Sequence, residues 1–285
     1  ISHGMADQAI RWLDNWKGLR DVPFFMYYTP GAVHAPIQVP EEWRDKYKGQ
    51  FDDGWHAYRS QQLERQKKLG LVPEDAEMVD WPEVIPEWDS FSEEGKRYLA
   101  RQMEVNAAFL EHVDYHIGRI IDHIEEMGEL DNTLVIYLTA DNGATAEGTP
   151  TGTFSELLMQ NGFPPLTMEQ QLEKLEEFGG LDAWGGPHMA NHFSVAWAYA
   201  SSTPFQWTKQ MASHFGGTMS ATAVRYPKAI EARGEWRRQF QNVTDIVPTI
   251  LEVTGVPAPD YVNGQKRKAY PGKSLTYAWN DPDAR

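Results

Sequence analysis

The chain has 285 residues, 41% of them hydrophobic, enough to bury a sizeable core and too apolar for wholesale disorder. Its formal net charge of −15 disfavours nucleic acid and anionic membrane as partners, and it means that an anionic substrate needs a local cationic site. The sequence has no cysteine, which excludes disulfides, thiolate zinc sites and cysteine nucleophiles from this chain, and it has no apolar run long enough to predict a membrane span.

The opening, "ISHGMADQAIRWLDNW", lacks an initiator Met and reads as the lead-in to a helix, the start expected of a piece cut from a longer protein. Ile10, Leu13 and Trp16 at helical spacing predict a helix over 6–17. "VPFFMYYTP", 22–30, is a dense aromatic run bounded by prolines and predicts a buried strand. Residues 37–91 read as irregular, with seven prolines or glycines and two charged helical patches. A long helix follows over about 92–127, with Leu99, Met103, Leu110, Val113, Ile117, Ile120, Ile121 and Ile124 as its apolar stripe. Ser92, Glu93 and Glu94 suit its start and Gly128 its end. "TLVIYLT", 133–139, predicts a strand. Residues 143–203 are rich in Gly, Pro and Trp, with a helix near 167–178, and read as an excursion from a sheet. "TAVRYP", 222–227, predicts another strand. Thr244 then caps a helix in "DIVPTILEVTG", with Pro248 in its first turns and Gly255 closing it. The tail, 256–285, is polar and turn-rich. Strand, long helix, strand is the alternation of an α/β fold: a mainly parallel sheet flanked by helices.

In such sheets ligands bind outside the carboxyl ends of the strands. His34 lies just past the first predicted strand. Asp141 and Asn142 end the second. A carboxylate and an amide oxygen suit a hard cation, calcium or magnesium. The same letters with Gly143 make an ordinary turn, and two ligands fall short of the roughly six to eight oxygens that calcium takes. Lys209 and His214 precede Gly216-Gly217. A lysine and a histidine converging near a cation suit a tetrahedral oxyanion ester, whose oxygens the charges neutralise while the histidine protonates the leaving oxygen. Alone, Lys209 reads as a solvated surface lysine. His112, His116 and His123 on one helix offer zinc as an alternative metal. Trp12 and Trp16 fit a core face, whereas Trp184, Trp197 and Trp207 could border a substrate pocket. Asn242-Val243-Thr244 is a glycosylation sequon, and a cap at Thr244 explains the same letters.

Taken together, "AIRWLDNWKGLRDVPFFMYYTPGAVHAPIQVPEEW", "EHVDYHIGRIIDHIEEMGELDNTLVIYLTADNGATAEG", "STPFQWTKQMASHFGG" and "NVTDIVPTILEVTGVPAP" resemble the sulfatase family of the alkaline phosphatase superfamily, in order and in spacing. The likeness runs along most of the chain and is strongest to the large bacterial arylsulfatases, in "TPFQWTK" and "EG…GTF". It implies the alkaline-phosphatase-like fold, with residues 1–285 as the central part of its catalytic α/β domain, incomplete at both ends. It implies sulfuric ester hydrolysis, with calcium (or magnesium) held by Asp141 and Asn142. In that picture His34 contacts the sulfate and acts as general acid, Lys209 holds a sulfate oxygen, and His214 sits near that lysine at an unusual offset from Gly-Gly.

The departures from the family pattern are specific. The nucleophile of sulfatases, a formylglycine made in a C-x-P-x-R type motif, has neither its cysteine nor its serine form here. The paired aspartates of the family's first strand are missing, and Asp52-Asp53 follows no strand. Met219 stands where an arginine often follows Gly-Gly. The formylglycine is therefore expected from a segment outside this chain. The expected partners are a small-molecule sulfate ester and the missing remainder of the sulfatase chain. The compartment is unassigned, bacterial periplasm or cytoplasm. Two alternatives stand: a truncated or decayed, non-catalytic sulfatase, and a phosphatase or phosphonate monoester hydrolase on the same scaffold. A partial sheet is expected to expose apolar edges, leaving the isolated chain poorly soluble or in need of a partner.

Overall fold

The computed structural model describes residues 1–19 and 21–285. They divide into two compact units, one of residues 1–128 and 137–222, the other of 129–136 and 223–285.

In the first unit, α1 (Ser2–Trp16) buries Ala6, Leu13 and Trp16. It packs on α4 (Glu93–Glu126), the long helix, as do α2 (Glu41–Arg44) and α6 (Met168–Glu177). Helix α4 starts where the Ser92 hydroxyl accepts the Gly95 N–H at 3.2 Å, with Glu93 and Glu94 against the positive end of the helix dipole. It stops before Gly128, whose φ of +77° suits a residue without a side chain. Leu99, Met103, Val113, Ile120 and Ile124 face the core, while Leu110 is half exposed. Because neighbours cover α4 on more than one side, it also buries Arg101, Gln102, Glu104, His112 and His116. The Arg101 guanidinium is paired with Glu104 (3.0 Å) and Asp45 (2.7 Å), as a buried charge requires.

Helix α3 (Gly54–Lys68) packs against α7 (Val195–Ser201), a run of alanines and large aromatics buried almost throughout. Ser194 caps α7 by accepting the Ala196 N–H. Trp197 packs edge-on to Trp55 and donates its indole N–H to the Leu99 carbonyl at 2.8 Å. Residues 143–203, read from sequence as an excursion, thus supply much of the core, with Phe154, Trp184, Phe193 and Trp197 in the same apolar cluster as Trp55 and Tyr98. Trp184 and Trp197 are therefore core residues. The segment also contains α5 (Glu156–Gln160) and α6. Helix α6 opens with a reciprocal capping box between Thr167 and Gln170.

The mainly parallel sheet expected from the sequence is not among the elements of the described residues. β1 (Val135–Leu138) and β2 (Thr222–Arg225), with α8 (Phe215–Thr218) before β2, make one two-stranded sheet, and β3 (Tyr261–Val262) and β4 (Gln265–Lys266) make another. The run 22–30, expected as a buried strand, is no strand: Val22 is a bend and 23–30 belong to no element. Nor is it buried throughout: Phe24 packs edge-on to Trp16, 4.9 Å between ring centres, while Phe25 and Tyr27 are 68% and 80% exposed. An apolar run becomes a strand only when another strand satisfies its backbone.

In the second unit, α9 (Ile246–Thr254) is introduced by Asn242, not by Thr244 as the sequence reading had it. The Asn242 side chain accepts the Thr244 N–H, and Asp245 accepts the Asn242 N–H at 2.8 Å. A single 3-10 turn intervenes, which moves the cap two residues upstream. Asp245 also takes the Lys273 N–H, and Thr249 takes that of Leu275, tying the tail to the helix. Gly255 closes α9 in the left-handed conformation. β3 and β4 form an antiparallel hairpin whose turn residues, Asn263 and Gly264, both have positive φ.

Candidate active site

The site belongs to the first unit. After β1 the Thr139 N–H bonds the Ala221 carbonyl, and the chain then bends through Asp141 and Asn142. Gly143 follows, its N–H on the Gly217 carbonyl at 3.0 Å. A Cβ on Gly143 would fall 1.7 Å from the Gly216 carbonyl oxygen, so only glycine fits. One residue on, the Ala144 carbonyl accepts the Lys209 N–H at 2.8 Å. This backbone stitch sets the lysine loop beside the strand end.

His34 sits in a turn closed by its own N–H on the Gly31 carbonyl. Its Nδ1 lies 2.9 Å from the Ala35 carbonyl, which can only accept, so Nδ1 carries the proton of the neutral ring and Nε2 is bare. Lys209 Nζ lies 3.3 Å from that Nε2 and donates to it. The Asp141 carboxyl is held below the usual carboxylate range, first by the Asn142 amide that donates to it, then by its own backbone N–H and the charge of Lys209, with partial burial opposing. Four residues expected from the sequence, Asp141, Asn142, Lys209 and His34, therefore share one electrostatic neighbourhood.

His214 stands apart from that contact. Its ring meets the Ser213 hydroxyl at 2.9 Å and faces Trp207 edge-on, and its backbone precedes α8. The histidines considered for zinc do not converge either: His112 and His116 touch at 3.1 Å, whereas His123 lies beside Asp14. Among the described residues, no group of three or more His, Asp or Glu is placed to hold a metal.

Asp141 and Asn142 fit a hard cation as part of a ligand set. The Asn142 side-chain oxygen is buried and has no hydrogen-bond partner, an amide oxygen that lacks its normal donor. With the ionised Asp141 beside it, the chain offers two oxygens of the kind calcium takes.

Sequence reasoning missed His192. It is almost fully buried, its Nδ1 sits 2.9 Å from the Phe193 carbonyl, and its backbone pairs with Thr153 in an isolated antiparallel bridge. Burial holds its pKa below the usual histidine value; the Phe193 carbonyl and Glu147 oppose this, and His34 and Lys209 add to it. No spacing in the sequence links "ANHFS" to His34; only the packing does.

Comparison with known proteins gives this arrangement a family. The sulfatase family model matches residues 2–256, and the chain belongs to the sulfatase family. It is 35% identical over 270 residues to an uncharacterized sulfatase of Schizosaccharomyces pombe, covering 91% of this chain and 44% of that protein. It is 28% identical over 256 residues to an arylsulfatase of Klebsiella aerogenes, covering 90% of this chain and 51% of that enzyme. A sulfatase of Formosa agariphila matches over 48% of the chain at 28% identity. The chain thus spans about half the length of the first two of these relatives.

Proposed function

We propose that this chain carries part of the active site of a calcium-assisted sulfuric ester hydrolase of the arylsulfatase kind. The observation that carries the reading is the 3.3 Å contact between Lys209 Nζ and His34 Nε2, at the strand end that bears Asp141 and Asn142. An ammonium donating to a bare imidazole nitrogen marks a place where an oxyanion can enter. A sulfate oxygen placed between them accepts from Lys209 and, once His34 is protonated, from Nε2 as well. The Nε2 proton is then positioned for the leaving alcohol oxygen, while the Ala35 carbonyl keeps the ring oriented through Nδ1.

Asp141 and Asn142 would supply two oxygens to the cation, whose charge neutralises sulfate oxygens when it is bound. The other ligands, and the formylglycine nucleophile, would come from sequence this chain does not contain: it has no cysteine and no serine form of the motif. The chain by itself is expected to bind sulfate without hydrolysing esters.

Calorimetric titration of sodium sulfate into the protein in calcium buffer tests this. Wild type is expected to give saturable binding, and Lys209→Ala to weaken it about tenfold or more, the loss of one charge-assisted contact. Superimposable isotherms for the two proteins would contradict the reading.

A further inference from the structure

The lysine loop holds an unfavourable backbone. Trp207 and Gln210, on either side of Lys209, have φ of +67° and +78°, the left-handed region that side chains other than glycine's disfavour. Such geometry persists only where surrounding contacts impose it. Two contacts reach the loop from the segment after Asn142. One is the Ala144 carbonyl on the Lys209 N–H. The other is a side-chain bond: Gln210 Nε2 donates to Glu147 Oε1 at 3.1 Å.

Glu147 is itself braced. Its second oxygen accepts the Thr145 hydroxyl at 3.0 Å, and its backbone N–H donates to the Thr145 oxygen at 3.3 Å. Both carboxylate oxygens are thus engaged by neutral donors. Gly148 comes next, packed so closely that a Cβ there would fall 1.6 Å from the Phe193 carbonyl oxygen, which anchors Glu147 on a rigid base beside His192.

We propose that Glu147 is a positioning residue: by holding Gln210 it fixes the strained turn that presents Lys209 to His34. The consequence for sulfate rests on the functional reading above, whereas the latch itself does not. A carboxylate suits the task because it accepts from two donors at once, where an amide oxygen at the same place keeps only one strong acceptor.

Hydrogen exchange of the Lys209 amide, read by NMR in the 285-residue chain, reports the latch directly; the sulfate isotherm reports its effect. Glu147→Ala is expected to speed exchange of that amide about tenfold and to weaken sulfate binding, with amides of α4 and α7 unchanged. Glu147→Gln, which keeps an oxygen for Gln210, is expected to restore most of the protection, and Gln210→Ala to reproduce the Glu147→Ala result. Unchanged exchange at Lys209 in Glu147→Ala would overturn the proposal whatever the isotherm shows. So would a uniform rise across the unit in Glu147→Gln, which would mark Glu147 as a general support of the fold. Faster exchange at Lys209 in a protein whose wild type binds no sulfate would uphold the latch and remove the functional reading instead.

Discussion

Arg119 can only donate, so its 3.0 Å contact with His116 Nδ1 leaves that nitrogen bare and puts the neutral ring's proton on Nε2. That proton points at His112 Nε2, 3.1 Å away, which must be the acceptor. The remaining His112 proton then sits on Nδ1, buried and without a partner. His3 and Asp7 face this pair from α1, with Asp7 bound to both His3 (3.0 Å) and Arg119 (2.7 Å), and Glu42 acts on His112 from α2. Burial first, then the charges of His112, Arg119 and His3, pull the His116 pKa down to about 4, against Asp7. A histidine kept neutral in the fold takes its proton only when unfolded. Stability is therefore unaffected above about pH 6.5, falls as the pH drops below that value, and levels off near the folded pKa, a loss of about 3 kcal/mol for His116. Urea midpoints between pH 7 and pH 4 should fall steeply for wild type and distinctly less for His116→Gln; parallel slopes would refute this assignment.

At the scale of the elements, a few buried amides decide how the helices meet. Gln102 on α4 is fully buried, donating to the Thr151 carbonyl and accepting the Ser194 N–H, each at 2.9 Å. Gln171 on α6 donates to the Gly152 carbonyl at 2.6 Å and accepts the Tyr98 hydroxyl. Gln102→Leu keeps the bulk but strands a donor and an acceptor in the core. It is expected to cost about 2–4 kcal/mol, seen as a lowered urea midpoint with an unchanged slope. A midpoint equal to wild type would mean that water replaces the amide. These ties also mark where the sequence stopped being legible. Helix α4 could be read almost to the residue, because its period, the Ser92 cap and the Gly128 stop are all local. Asp141, Asn142, His34 and Lys209 could be picked out through their resemblance to a family pattern. The strand at 22–30 could not be judged, since its neighbours decide whether Phe25 and Tyr27 are covered. His192 gave no local signal, and Glu147 and Gln210, though inside quoted stretches, gave none of their contact, because only packing brings these loops together. The Asn242 cap was missed for a smaller reason: a 3-10 turn shifted the helix start.

The chain spans about half of the first two relatives described above. Phe25 and Tyr27, and Leu138 at the end of β1, are exposed apolar side chains. A net charge of −15 repels sulfate at long range, so any binding must come from a local arrangement that outweighs the field. The imidazole nitrogens report that local arrangement. Long-range proton–nitrogen spectra of the nine histidines, assigned with His34→Gln, should be followed during a sulfate titration in calcium buffer. His34 Nε2 is expected to shift in a saturable way in wild type and to stay still in Lys209→Ala, while His214 does not move in either. A stationary His34, or an equal response in Lys209→Ala, would contradict it.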